Sequence, residues 1–238
     1  MTTTGTYAFD PSAADVVLNA YAMVGQRSTM LTTEHFERAA FQSNLVGVDF
    51  TNRNPNRWQM VEVPFTLLEG VKTYSLPRET VAVSAIWIDQ VNSNPAFSPI
   101  SRVLGPLSAV DYGSIAMKEQ QGTPNSYFFS LLTPIPTLTL WLVPNDNPAF
   151  TMRVQTFKQQ QDTSLRNSAT LDTPYRFLDA FTFGLAARLA LLYPDPARPT
   201  LPADLKAQYL ESFRLAAGLD QERVPLRMTP ILTGYYPS

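Results

Sequence analysis

The chain of 238 residues contains no cysteine and only one histidine, His35. The lack of cysteine excludes disulfide bonds, thiolate metal ligands and cysteine nucleophiles. His35 lies in a segment with helical periodicity, and no second histidine could complete a metal site or a catalytic triad with it. We therefore expect a structural or surface role for His35, no metal, no cofactor and no histidine-based catalysis.

Charged residues are also scarce. They make up 16% of the chain, whereas apolar residues make up 45%, and soluble domains typically contain about 25% charged residues. This composition predicts that some apolar surface meets a partner. The net charge is -2, and no window gathers a run of basic residues. We therefore expect no specific nucleic-acid binding, although DNA could pass along a wall that does not hold its phosphates.

The sequence has no long apolar run. The first residues, MTTTGTYAFDP, show neither a basic nor an apolar signal region, and no stretch reaches the roughly 18 apolar residues of a membrane span. The expectation is a protein made and used without export and without a membrane anchor.

Helical periodicity occurs in the first fifty and the last seventy residues. It predicts four helices. The first comprises residues 12–24 with Ser12 as N-cap, and the second runs from a cap at Thr32 or Thr33 to about Leu45. The third runs from a cap at Asp172 or Thr173 to about Leu192, and the fourth comprises residues 201–219. The third helix is apolar around most of its circumference, which predicts burial on more than one side. We assign it to the subunit core and to contacts between subunits, through Phe177, Phe181, Leu185, Leu189 and Leu192.

Beyond the turn residues 52–56 the period changes to that of strands. Seven short strands are predicted, at residues 58–63, 73–76, 81–89, 98–101, 126–131, 138–143 and 149–158. Residues 107–112 resemble a short helical turn, and residues 118–124 an exposed loop. Residues 67–89 are expected to form a hairpin, and a Pro-Asn-Asp-Asn-Pro turn at 144–148 a second one.

These patterns predict an α+β protein. A discontinuous helical domain of about four helices comprises residues 10–50 and 171–220, and a small antiparallel β sandwich or barrel at residues 57–158 is inserted into it. Residues 159–170 are polar and aperiodic, and are interpreted as a linker.

Residues 221–238 contain three prolines and an unusual number of large apolar residues for a free tail. We interpret them as an extended C-terminal docking arm for a neighbouring subunit or another partner. The residues expected to dock are Val224, Leu226, Met228, Ile231, Leu232, Tyr235 and Tyr236.

Several local strings resemble the head-to-tail adaptor proteins of short-tailed bacteriophages, including the tail accessory factor family. They follow one another over roughly residues 10–225, and they are TTEHFERAAFQSNLV, LLEGVKTYSLPRETVAVSAIWID, SPISRVLGPLSAVDY, QGTPNSYFF, LTLWLVPNDNPAFTMRVQTF and TPYRFLDAFTFGLAARLALLYP.

The resemblance implies a helical core with a β insertion, assembled as a ring, typically of twelve subunits, beneath the portal protein. It also implies a C-terminal extension that reaches toward the portal and a ring that surrounds passing DNA. A tail nozzle or another tail protein would bind the other side, in the tail or neck of a virion assembled in the host cytoplasm. This chain differs from the shorter members of the family in its fuller β region and in the proline-rich link between its last two helices. These differences leave the identity of the tail-side partner open.

Two other classes of function remain open. A virion-associated peptidoglycan hydrolase would need two carboxylates about 5–9.5 Å apart. The candidates are Glu62, Glu69, Asp89, Asp111, Glu119 and Asp146. A carbohydrate-binding tail module would use aromatic platforms, for which Trp58, Trp87 and Trp141 are the candidates, although a core role suits tryptophans in strands better. No glycine-rich nucleotide-binding motif is present.

Overall fold

The computed structural model describes residues 9–53, 57–90, 100–145, 150–165 and 169–220. Within them the α-helices are α1 (Ala13–Val24), α2 (Thr33–Arg53), α3 (Ala109–Ser114), α4 (Leu178–Leu192) and α5 (Leu201–Asp220). The strands are β1 (Met60–Thr66), β2 (Thr73–Ser75), β3 (Thr80–Gln90), β4 (Ile100–Val103), β5 (Gly105–Leu107), β6 (Gln121–Gly122), β7 (Ser126–Ser130), β8 (Thr137–Trp141), β9 (Val143–Pro144) and β10 (Phe150–Lys158). The protein is α+β, as the sequence predicts.

Helix α1 begins and ends as its sequence indicates. The Ser12 hydroxyl accepts a hydrogen bond from the Asp15 amide, and the Asp15 carboxylate accepts one from the Ser12 amide, which completes a capping box. Gly25 ends the helix in the left-handed region, at φ 87°. The Arg198 guanidinium, from the proline-rich link, donates to the Val24 carbonyl at 2.9 Å and so satisfies a free helix-end acceptor.

Helix α2 is longer than predicted, because it continues past Leu45 to Arg53. The added turns carry Phe50, which is fully buried. Its ring contacts Phe177, Phe181 and Phe213 at centroid distances of 5.1–6.0 Å. The predicted end was wrong because these aromatic contacts between distant segments stabilise two turns that have few local helix signals.

Helix α4 is the centre of the helical core. It packs against α1, α2 and α5, which agrees with its apolar residues on every side. Gly184 allows α5 to approach closely, since a Cβ placed there would lie 3.2 Å from Tyr209 Cδ2 and 3.3 Å from Val46 Cγ1. A 3-10 turn, Tyr175–Phe177, precedes the helix.

Helix α5 buries one stripe against α4. The buried residues of this stripe are Leu205, Tyr209, Phe213, Ala216 and Asp220. The Tyr209 hydroxyl donates to Asp49 Oδ2 at 2.5 Å and accepts from Arg53 Nε at 3.1 Å, which ties α5 to the end of α2. Burial, followed by the Asp49 contact, raises the pKa of Tyr209 above its ordinary value, so this hydroxyl remains protonated at neutral pH.

The β region is a sandwich of two four-stranded sheets. One has the order β1-β10-β3-β4 and the other β2-β8-β7-β5, while β6 and β9 form a separate pair. Alternate residues of the strands point into one shared core. Its buried residues are Leu67, Tyr74, Leu76, Ile86, Ile88, Leu104, Tyr127, Leu138, Leu140, Phe150, Met152 and Val154.

Neither predicted hairpin forms. Strands β2 and β3 lie in different sheets, and so do β8 and β10. After each first strand the chain crosses to the other layer, because the inward-facing apolar residues of both sheets must share one core. The pairs β5–β7 and β6–β9 are parallel, so the sandwich is antiparallel only in its main ladders.

Residues 159–165, part of the predicted linker, are attached to the helices. Gln160 is 7% exposed and donates to the Thr173 hydroxyl. The Thr163 amide donates to Asn44 Oδ1 at 2.7 Å. The polar composition of this segment therefore provides hydrogen bonds to α2 and to the segment that precedes α4.

Candidate functional site

Most of the candidate carboxylates already have structural partners. Glu119 forms an ion pair with Lys72, and Asp111 completes the capping box of α3 with Ser108. Glu69 is exposed in the turn after β1, and Asp146 lies outside the described residues. In the described part of the chain, no three or more His, Asp and Glu side chains are grouped as a metal site would require.

Glu62 and Asp89 are brought together by Arg153 on the outer face of the β1-β10-β3-β4 sheet. Arg153 Nε lies 2.7 Å from Asp89 Oδ2, and Arg153 Nη1 lies 3.8 Å from Glu62 Oε1. The Ser101 hydroxyl donates to Asp89 Oδ1 at 2.5 Å, and the guanidinium lies 5.9 Å from the centroid of the Trp87 ring. Two carboxylates and an aromatic ring thus share one surface, a juxtaposition that the sequence alone did not reveal.

The electrostatics of this cluster oppose a role in acid catalysis. The hydrogen bonds from Ser101 and Arg153 lower the pKa of Asp89 below its ordinary value. A glycosidase needs one carboxyl group that remains protonated near neutral pH, which requires a raised pKa. The cluster is arranged as an ion pair that joins β3 to β10.

The three tryptophans lie in three different places. Trp58 is in a 3-10 turn, Arg57–Gln59, and not in the predicted strand. Its ring packs on Phe177 of the helical core at 4.4 Å. Trp87 and Trp141 are half-buried, in β3 and β8, and Trp141 Nε1 donates to the Met117 carbonyl at 3.3 Å. The structure does not assemble them into one carbohydrate platform.

His35 lies at the start of α2, where its Nδ1 is 2.8 Å from the Thr32 hydroxyl. Its ring stacks on Tyr193 at 5.0 Å, and the Tyr21 hydroxyl donates to its backbone carbonyl at 2.6 Å. These contacts join the beginning of α2 to α1 and to the end of α4. They describe a structural role.

The residues assigned to an intersubunit helix lie mainly inside the chain's own core. Phe177, Phe181, Leu185 and Leu189 are at most 1% exposed, and these positions face α1, α2 and α5. They cannot touch a second subunit unless the fold rearranges. Of the five, only Leu192 is exposed, at 39%, so it is the one available to a neighbour.

Two apolar patches that sequence reasoning missed are exposed. The helical patch consists of Leu215 and Leu219, which lie one turn apart on α5 and are 57% and 68% exposed. The loop patch consists of Leu131, Leu132 and Ile135, between β7 and β8, which are 46–63% exposed. The apolar, proline-containing string LLTPIP was the signal for the loop patch, because turns between strands are usually polar.

A cavity of about 370 Å³ lies beside the start of α4. It is lined by residues from three segments, which are Phe9, Asp10, Trp58, Thr170, Leu171, Asp172, Thr173, Pro174, Tyr175 and Leu178. We call it the aromatic cavity. Phe9 and Tyr175 are each 76% exposed, so two aromatic rings of its lining are accessible from solvent.

The predicted docking arm, residues 221–238, lies outside the described residues. Of the helices that are described, none combines the length and the apolar character that crossing a bilayer requires. No family model matches the chain, and no curated protein matches it significantly.

Proposed function

We propose that the protein is a structural virion subunit, a head-to-tail adaptor that forms a ring between the portal and the tail around the DNA exit channel. The proposal begins with the resemblance of consecutive sequence strings to adaptor proteins of short-tailed bacteriophages. The exposed apolar side chains are the structural observation that supports it.

The helical patch and the loop patch belong to different parts of the fold. Isolated apolar residues on a surface are ordinary, but grouped ones indicate interaction sites. A subunit of a closed ring uses two different surfaces, one for each neighbour, and an adaptor needs further surfaces for its two partners. Two separate patches suit such a subunit better than a monomeric enzyme with one cleft.

The arm is the proposed contact with the portal. Its prolines restrict the free chain, so less conformational entropy is lost when it is ordered on a partner. Deletion of residues 224–238 should therefore abolish stable capture of the subunit by a purified portal while leaving the far-ultraviolet circular dichroism of the subunit unchanged. Equal capture of the truncated and intact chains would show that the arm binds elsewhere.

Ring formation is tested separately, by light scattering coupled to size-exclusion chromatography. Twelve chains of 26.5 kDa would give a particle of about 318 kDa. Leu215→Ser and Leu219→Ser together should reduce that particle to smaller species, whereas Val110→Ser, at a site on α3 that is 80% exposed, should not. If the α5 and α3 variants assembled equally, the helical patch would not be an intersubunit contact.

The Glu62–Arg153–Asp89 cluster beside Trp87 keeps a second function open, that of a peptidoglycan hydrolase or a carbohydrate-binding module. The corresponding assays are release of reducing sugar from purified peptidoglycan and retention on immobilised glycan. Turnover that disappears in Glu62→Gln or Asp89→Asn would favour the hydrolase. We expect no turnover by the parent protein, because the pKa of Asp89 is lowered.

A further inference from the structure

We infer that the aromatic cavity is a binding site for the chain's own C-terminal segment, residues 221–238, which it holds in the free chain. This inference goes beyond the adaptor function and does not depend on it. It rests on where α5 ends, on the chemistry of the cavity wall and on the composition of the segment.

The end of α5, after which the segment follows in the chain, lies beside the cavity. Asp220, the last residue of α5, forms an ion pair with Arg176, and Tyr175 and Leu178 on either side of that turn line the cavity. An extended chain advances about 3.3 Å per residue. Four or five residues after Asp220 therefore suffice to bring Pro225 to the cavity.

The cavity wall has the features of a site for a proline-containing peptide. Such peptides dock in grooves lined by aromatic rings, and a donor on the wall binds a peptide carbonyl. Phe9, Trp58 and Tyr175 supply the rings. Trp58 Nε1 is shielded from solvent and has no hydrogen-bond partner among the described residues, and a buried donor left in this state is costly. We assign a carbonyl of the segment to this donor.

Charge also matches the two partners. The cavity lining contains Asp10 and Asp172 and no basic residue. The segment contains Arg223 and Arg227 and only one acidic residue, Glu222. Opposite charges on the cavity lining and on the segment favour their association.

The absence of cysteine makes a direct crosslinking test possible in the full-length chain. Thr170→Cys lies on the cavity wall and Thr229→Cys in the segment. Under mild oxidation this pair should form a disulfide within one chain, seen as a faster monomer band on a non-reducing gel. The control pair, Val110→Cys with Thr229→Cys, should form at least tenfold less. Equal yields for the two pairs, or a disulfide between chains in place of one within the chain, would overturn docking within the chain.

Two further experiments, a peptide competition and a Trp58 variant, distinguish specific docking from chance proximity. A synthetic peptide of residues 221–238 should compete and lower the yield of the Thr170–Thr229 crosslink, whereas a peptide with Pro225 and Pro230 replaced by alanine should compete poorly. Trp58→Phe keeps a ring but removes the donor, and should lower the competing peptide's affinity roughly two- to tenfold, the loss expected for one hydrogen bond. Equal competition by both peptides would contradict the inference.

Discussion

Replacement of Leu185 by alanine tests the assignment of α4 to the interior of a single subunit. Leu185 is fully buried, whereas Leu191 on the same helix is 71% exposed, so Leu191→Ala is a control with identical chemistry. A buried Leu→Ala change removes packing and leaves a cavity, at a cost of about 2–5 kcal/mol. An exposed change away from such packing costs about 0.5 kcal/mol or less.

Urea unfolding measures the difference, followed by circular dichroism and by tryptophan fluorescence, to which Trp58 contributes from its place against Phe177. For a chain of this size each kcal/mol shifts the thermal midpoint by about 2–4 °C. Leu185→Ala should therefore lower the thermal midpoint by roughly 4–20 °C. The slope of the urea transition should stay unchanged. Similar midpoints for the two variants would refute the burial of Leu185 in the subunit. A loss of particle size in Leu191→Ala without a loss of stability would identify the end of α4 as an intersubunit contact.

Three further predictions concern local features, each measured by urea unfolding. Ser12→Ala removes the side-chain acceptor of the α1 capping box and should destabilise the chain by about 0.5–2 kcal/mol, whereas Ser12→Asn should retain most of the stability; equal losses would contradict the cap. Gly184→Val should cost about 1–3 kcal/mol through crowding against Tyr209 and Val46, and a neutral effect would mean that α5 is free to move away. The folded-state pKa of Asp89 is lowered below 3.8, so its ion pair stabilises the chain above that pH and ceases to do so as pH falls through the folded value. The difference in unfolding midpoint between the parent and Asp89→Asn should therefore be larger at pH 7 than at pH 2.5. A constant difference would contradict this linkage.

The parts of the fold that were predictable carry local signals. Ser12, as a candidate N-cap ahead of a helical apolar stripe, indicated the start of α1. The apolar circumference of the third predicted helix indicated the burial of α4. The alternation of β10 was equally clear, because its inward and outward residues differ in polarity. Such signals lie in residues that are close in sequence, so they can be recognised without knowledge of the rest of the chain.

The parts that were not predictable depend on contacts between distant segments. The last turns of α2 are stabilised by Phe50 among aromatic rings of α4 and α5, and the crossing of β2–β3 and β8–β10 between layers is decided by the shared core. Glu62, Asp89 and Arg153 come from three different strands, and no spacing along the chain encodes their contact. The aromatic cavity likewise combines Phe9, Trp58 and Tyr175, which are far apart in sequence.

The central claim, a ring that adapts a portal to a tail, is tested most directly by negative-stain electron microscopy of the purified chain mixed with its portal. The account predicts an added ring at one end of the portal particle, coaxial with its channel and with twelve repeating units. Portal particles that look the same with and without the chain, while the chain itself stays monomeric, would contradict it.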